Sequence, residues 1–444
     1  MTGARFIYSS LWVLLLPLLL MRMWWRGRRA PLYRERWAER LGFYPSAALP
    51  KGQDGCVWVH AVSVGEALAA VPMVEQLLSR YPETQIVMTT TTPTGSERVR
   101  AVFGHRVLHV YAPWELPGAV RRFFNAFQPS LVLLLETELW PNIVANAATR
   151  KVPVMLINGR LSERSQRGYA RFPALVTPML QAMHCLAVQT QADATRFQEL
   201  GAAENSIAVT GSVKFDIDPN ESLRQGAALW RQQLDARPVW IAASTHAGED
   251  EPVLVAHKQL KMHFPDALLI LVPRHPERFA EVGQLASAHG FTVLKRSATK
   301  QVDAACDVYL GDTMGELMQM FGFADVAFVG GSLVDVGGHN LLEPSAWGLP
   351  VLTGPHLHNF TLIAQLLEQA GAMTIVADAD ALAAQLVGLF GGPVVEGAVS
   401  VPNQAASHAR RKTMGDAALH VQATHRGALQ RVLTLVAGSW PPSS

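Results

Sequence analysis

CVWVHAVSVGEALAAVPMVEQLL, residues 56–78, opens on an unbroken apolar run, turns at Ser63 and Gly65, and continues with apolar residues at helical spacing. A run with no polar alternation is what a strand needs when both faces of its sheet are covered, and such sheets are parallel, with helices returning the chain. The same strand, loop and helix sequence recurs at QIVMTTTT, VLHVY, SLVLLLE, VPVMLIN, HCLAVQT and SIAVTG. A polar, helix-prone stretch over about 216–238 breaks the rhythm, and PVWIAAS, ALLILVP, FTVLK, CDVYLG, ADVAFVGG and LPVLTG begin a second series. The pattern predicts two α/β lobes joined near residues 216–236, with helices but no catalytic pattern over about 403–436.

The bulk numbers agree. A length of 444 residues suits two cores, and 49% hydrophobic with 17% charged residues excludes both a disordered chain and a protein of many membrane spans. Cys56, Cys185 and Cys306 lie far apart without metal-ligand spacing, which fits buried thiols in a reducing compartment. A net charge of +2 does not suggest nucleic-acid binding.

The start of the chain differs from the rest. Sixteen uncharged residues, 6–21, lie between Arg5 and Arg22, and Met23, Trp24 and Trp25 extend them as an aromatic belt. A full span wants roughly 20 apolar residues, so the segment reads as one marginal transmembrane helix, with an interfacial helix or a cleaved signal as the alternatives. Arg22, Arg26, Arg28, Arg29, Arg34, Arg36 and Arg40 follow, opposed by Glu35 and Glu39 alone. By the positive-inside rule everything downstream stays cytoplasmic.

In a parallel sheet the loops after the strands carry the chemistry. In the first lobe Glu66 stands at a helix start, where it serves either as a general base or as the acid of an S-x-x-E capping box with Ser63. Glu136 and Glu138 in LLLETELWPN fall on one side of a strand end by period-two geometry, beside Trp140, as either a functional or a buried structural pair, with raised pKa values expected for both uses. Lys214 in GSVKFD follows the last strand of this lobe and faces the expected cleft, where it either opposes a leaving phosphate or is a solvated surface lysine.

In the second lobe VPRHPERF holds Arg274 and His275 between Pro273 and Pro276, a stiff loop with a permanent cation for a phosphate or a base edge. GDTMGEL offers Gly315 with its free amides and Glu316 for a ribose or a base amine. VGGSLVDVGGHNLLEPSAWGLPVLTGP gives two glycine pairs, then Asn340 and Glu343 at a new helix start, suited to an anion and to ribose hydroxyls or, alternatively, to a cap alone. His246, His275, His339, His356 and His358 show no metal-ligand spacing, so no zinc site is expected; there is likewise no Walker A lysine and no G-x-G-x-x-G after the first strand, so neither P-loop nor dinucleotide chemistry is favoured. Arg160, Arg164, Arg167 and Arg171 recur at steps of four, three and four, one face of a helix suited to lipid phosphates.

Taken in order, HAVSVGE, ETELWPN, NGRLSERS, GSVKFD, PRHPERF, GDTMGEL and GGSLVDVGGHNLLEP resemble the 3-deoxy-D-manno-octulosonic acid (Kdo) transferases of lipopolysaccharide biosynthesis, from the anchor to about residue 360. The resemblance implies two Rossmann-like lobes of the glycosyltransferase B type facing a central cleft, plus the N-terminal membrane helix. It implies an anchor with basic flank over 1–30, an acceptor-binding lobe over 31–220, a donor-binding lobe over 221–402 and a C-terminal helical segment over 403–444. It also implies an inverting transfer of Kdo from CMP-Kdo to a lipid A precursor, lipid IVA, at the cytoplasmic face of a bacterial inner membrane, by a single-pass or monotopic protein. Glu66 would be the general base, with Glu136 and Lys214 as transition-state stabilisers. CMP would be bound by Pro273, Arg274, Met314, Gly315, Glu316, Asn340, Leu341, Leu342 and Glu343, without metal or cofactor. A UDP-sugar transferase or epimerase of the same architecture, or an inactive membrane scaffold, is the alternative.

Overall fold

The computed structural model describes residues 3–28, 30–45, 49, 55–234, 237–391 and 404–439; Arg29 of the basic flank and the expected boundary at 402–403 lie outside them. The chain forms two units, Met1–Asp216 with Arg426–Ser444, and Ile217–His425.

The first unit is built on β1 (Cys56–His60), β2 (Gln85–Thr90), β3 (Leu108–Tyr111), β4 (Pro129–Leu135), β5 (Val154–Gly159), β6 (Cys185–Val188) and β7 (Ile207–Val209). All pair in parallel, in the order β3-β2-β1-β4-β5-β6-β7. Alternate residues of β1 enter different cores: Cys56 and Trp58 pack with Phe123, Phe124 and Phe127, whereas Val57 and Val59 pack with Met73, Val74 and Leu77 of the helix Val64–Arg80. That double burial is why the run at 56–62 has no polar alternation.

The second unit contains β8 (Val239–Thr245), β9 (Leu268–Pro273), β10 (Val293–Lys295), β11 (Val308–Leu310), β12 (Val326–Val329), β13 (Val351–Thr353) and β14 (Met373–Ile375), in the parallel order β10-β11-β9-β8-β12-β13-β14. The sequence pattern did not reveal β14, a three-residue edge strand whose Ile375 is exposed. In each sheet the first strand lies inside, with the next strands on one side and the later ones on the other. The strand order therefore reverses between β1 and β4, and between β8 and β12, the two places where neighbouring loops diverge and leave room for a ligand.

The stretch expected as a separate C-terminal segment is divided. The helix Gln404–His425 belongs to the second unit, where Met414 joins the core and Gly415 meets Gly348 so closely that a Cβ would stand 2.0 Å from the Gly348 carbonyl oxygen. The helix Ala428–Ser439 returns to the first unit and buries Val432, Leu433 and Val436 in the core that holds β1. Asp216 secures the return, its carboxylate accepting the Gly427 and Leu429 amides at 2.6 Å each.

The basic flank is also less free than its sequence suggests. Arg36 pairs with Glu39 at 2.6 Å, and the buried Arg40 lies over the Tyr111 ring and donates to the Thr91 carbonyl at 2.9 Å. Both side chains fasten the segment to β2 and β3 instead of standing free for headgroups.

Loss of a capping carboxylate costs about 1 kcal/mol. Asp216→Ala should therefore speed hydrogen exchange over 428–439 before it affects β4, as read by mass spectrometry.

Candidate active site

The loop after β1 forms the S-x-x-E capping box that the sequence allows at Glu66. Ser63 caps the helix Val64–Arg80 by accepting the Glu66 amide at 3.2 Å. In return the carboxylate accepts the Ser63 hydroxyl at 2.8 Å and the Val62 amide at 2.7 Å. The cap thus fixes the rotamer of the acid and leaves each oxygen a further lone pair. Burial raises its pKa, and the Glu136 carboxylate adds to the rise. A Cβ at Gly65 would meet only the Ser63 hydroxyl, at 3.8 Å, so the helix start has open space above it.

Across the switch point β4 ends at Leu135, and Glu136 turns into the left-handed region with φ 55°. A non-glycine residue held there stores about 1 kcal/mol or more of strain. The turn also overturns the period-two argument, because Glu136 and Glu138 lie beyond the strand and are placed by the turn. Glu136 accepts Lys214 Nζ at 2.7 Å and has Arg160 Nε at 3.9 Å. Lys214 reaches it from the turn Val213–Phe215, which is held when the Val213 amide donates to Asn158 Oδ1 at 3.2 Å. Glu138 accepts the Trp140 indole N–H at 2.7 Å. Burial first, then Glu66, pushes its pKa up to about 7. Three carboxylates and one lysine thus gather where β1 and β4 part.

Sequence reasoning missed the support beneath them. Thr89 Oγ1 lies 2.8 Å from both Trp58 Nε1 and His60 Nδ1. The indole can only donate, so the hydroxyl accepts from Trp58, while its bond with His60 Nδ1 runs in the direction the imidazole tautomer sets, and the buried His60 Nε2 has no hydrogen-bond partner. Burial lowers the His60 pKa to about 4, and the neutral ring lies edge-on to Trp140, 6.3 Å between centroids. The one signal in the sequence is a histidine closing an otherwise apolar strand.

In the second unit the glycine-rich loop is arranged differently from the expectation. Glu249, which the sequence reading passed over, is fully buried and accepts the amides of His246 at 2.9 Å, Gly331 at 2.6 Å, Ser332 at 2.9 Å and Leu333 at 2.8 Å. It therefore ties the β8 loop to the β12 loop and uses up amides that an anion would need. Asn340 donates to Glu343 at 3.1 Å and accepts the Leu342 amide at 3.1 Å, a local turn before the helix Leu342–Ala346, whose N-cap residue is Leu341 and has no side-chain cap bond. Glu343 also lies in the field of Arg274, while burial raises its pKa. Leu341 and Leu342 are wholly buried and present no side chain to a ligand.

Arg274 follows Pro273, the last residue of β9, its amide donating to the Thr245 carbonyl at 3.0 Å. Around it His246 and His339 share a 2.8 Å Nε2–Nε2 contact, and His275 stands edge-on to His246. Burial lowers the pKa of His246 and takes that of His339 down to about 4, so one ring donates to the other as neutral imidazoles. Met314 is 58% exposed and Gly315 has open space at its Cβ. Glu316, read as a ribose or amine acceptor, is paired with Arg296 at 2.7 Å and also accepts the Thr313 hydroxyl. Arg296 holds its pKa down.

The expected arginine stripe is broken. The helix covers only Glu163–Tyr169, so Arg164 and Arg167 share it while Arg160 turns back to Glu136 and Arg171 lies past its end. No group of three His, Cys, Asp or Glu side chains suited to a metal occurs among the described residues. A hollow of 440 Å³ bordered by Phe124, Gln128 and Arg150 opens beside Pro129, at the amino end of β4, away from the carboxylates.

Residues 35–217 match the family model described as 3-deoxy-D-manno-octulosonic-acid transferase (kdotransferase). The 3-deoxy-D-manno-octulosonic acid transferase of Haemophilus influenzae is 42% identical, over 97% of this chain and 98% of its own. That of Bordetella pertussis is 37% identical, over 94% and 95%. Among solved structures, UDP-GlcNAc 2-epimerase from Neisseria meningitidis superposes with a TM-score of 0.54 at 13% identity, covering 86% of this chain and 99% of that one. At that identity the likeness is one of fold.

The raised pKa of Glu138 has a consequence for stability. A carboxyl moved from 4.5 to about 7 favours the folded state while protonated, so that contribution is present below the unfolded value and is lost as pH rises through about 7. Glu138→Gln should reduce the fall in thermal midpoint between about pH 5 and about pH 8, measured by scanning fluorimetry.

Proposed function

The chain belongs to the Kdo transferases, which are glycosyltransferases, and from that premise we propose that it moves Kdo from CMP-Kdo to lipid IVA, a lipid A precursor, by an inverting single displacement at the cytoplasmic face of an inner membrane. The observation that carries the reading is the Glu66 carboxylate, fixed by its own helix cap and set beside the Glu136–Lys214 pair.

In this reading Glu66 takes the proton from the acceptor hydroxyl. A general base is most effective when it holds protons more firmly than an exposed carboxylate, and burial raises Glu66 in that sense. The hydroxyl oxygen bonds to the anomeric carbon as the bond from that carbon to the phosphate oxygen breaks, and the electron pair leaves with CMP. Positive charge builds on the sugar ring between those events. Glu136 is assigned to that charge, and Lys214, paired with it at 2.7 Å, offers a cation to the departing group.

On the donor side Arg274, with the neutral imidazoles of His246 and His339 around it, is assigned to the phosphate. The exposed backbone at Met314 and Gly315 is assigned to the nucleoside, and Asn340 and Glu343 to ribose hydroxyls. Pro273 stiffens the Arg274 loop, Glu316 holds Arg296 at the edge of the pocket, and Leu341 and Leu342 contribute packing. Fixed cations of this kind replace a metal for a monophosphate leaving group, so no metal or cofactor is assigned.

Glu66→Gln should lower kcat about 10²- to 10⁴-fold with little change in KM for CMP-Kdo, read by mass spectrometry of the lipid product. Full turnover by Glu66→Ala would move the base elsewhere. Activity should persist in excess EDTA; loss that magnesium restores would overturn the metal-free assignment.

A further inference from the structure

The helix Gly3–Arg26 is two-sided along its whole length. Ile7, Leu11, Leu14, Leu18, Met21 and Trp25, at steps of four and three, form an exposed apolar stripe. The opposite face, Ser9, Trp12, Leu16, Leu20 and Met23, is buried or half-buried. A helix that leaves the globular unit to cross a bilayer would be covered at one end only.

Its two ends are tied to the first unit. Near the start, the buried Ser9 hydroxyl meets the Asn142 side chain at 3.2 Å, and Trp12 lies 6.3 Å from Trp140, ring to ring. Asn142 is itself held by the buried Glu115, which accepts its amide at 2.7 Å and that of Ile143 at 2.9 Å. At the other end Arg34 donates to the Trp24 carbonyl at 3.3 Å, and Arg26 lies over the Tyr33 ring at 4.6 Å. The segment then continues into Arg36 and Arg40, whose guanidinium groups lie over the Tyr111 ring at 4.6 Å and 4.1 Å.

Ser9 precedes Arg26 by seventeen residues, about 26 Å of helix. In a spanning orientation, with the arginines at the cytoplasmic interface, Ser9 would stand near the far side of a hydrocarbon core about 30 Å thick. Asn142 and the ionisable Glu115 would have to follow it there, against a large desolvation cost.

We infer that this helix lies along a single leaflet, apolar stripe in the acyl boundary, and does not cross the membrane. Arg5 at one end and Arg22, Arg26 and Arg28 at the other then both sit at the level of anionic headgroups, which explains a cationic flank on either side of one apolar stretch. Trp12 bears on Trp140, and Trp140 on Glu138, so the leaflet-bound helix forms one side of the acceptor-side site.

The inference rests on the membrane attachment proposed above, and one labelling experiment separates the two. Gly3 and Arg28 are exposed at the two ends, while Cys56, Cys185 and Cys306 are buried and silent to a thiol reagent. Gly3→Cys and Arg28→Cys should each react with a membrane-impermeant maleimide in inside-out vesicles, and neither in spheroplasts. Reaction of Gly3→Cys in spheroplasts alone would overturn the in-plane placement and keep the attachment. Recovery of the chain in the soluble fraction, as a dimer with the stripe covered by a second copy, would overturn both.

Discussion

Every functional loop depends on one topological constraint, the placing of the first strand of each sheet inside it. Right-handed crossovers force the chain to one side of β1, then over to the other through β4, and the same happens about β8 and β12. Loops that leave adjacent strands in opposite directions open a gap at the carboxyl ends, and side chains placed there are partly buried yet reachable. Glu66 and Glu136 flank one such gap, and His246 and Gly331 the other. Burial there raises the pKa of Glu66 and lowers that of His246.

The two gaps are treated differently. In the second unit Glu249 bridges the switch with four amide hydrogen bonds, which join the β8 loop to the β12 loop. In the first unit Glu66 accepts only from its own turn, and Glu136 turns away to Lys214, so nothing of the kind joins the β1 loop to the β4 loop among the described residues. A carboxylate that bridges makes a platform, whereas one that caps its own helix stays free to take a proton.

Much of this was legible in the sequence, and what was not has physical reasons. The strands were legible because burial on both faces removes polar alternation, and β14 was not because a three-residue edge strand has little to bury. Glu66 was found but remained ambiguous, since an S-x-x-E pattern reads the same whether or not the acid does chemistry. Glu136 and Glu138 were correctly grouped for an incorrect reason, because the left-handed turn at Glu136 cannot be read from spacing. Glu249 and Thr89 were invisible because their partners lie far along the chain. The arginine stripe failed because spacing of four and three assumes a helix longer than Glu163–Tyr169.

The return of the helix Ala428–Ser439 to the first unit bears on how the protein is made. Ala428, Val432, Leu433 and Val436 fill the core behind β1, so the lobe synthesised first is also the lobe completed last. The seven strands of the first unit emerge well before that helix does. During that interval the face that receives the final helix stays open, and the second unit can finish its core, which draws only on residues 217–425. The unit that emerges first is therefore the one whose core is complete last.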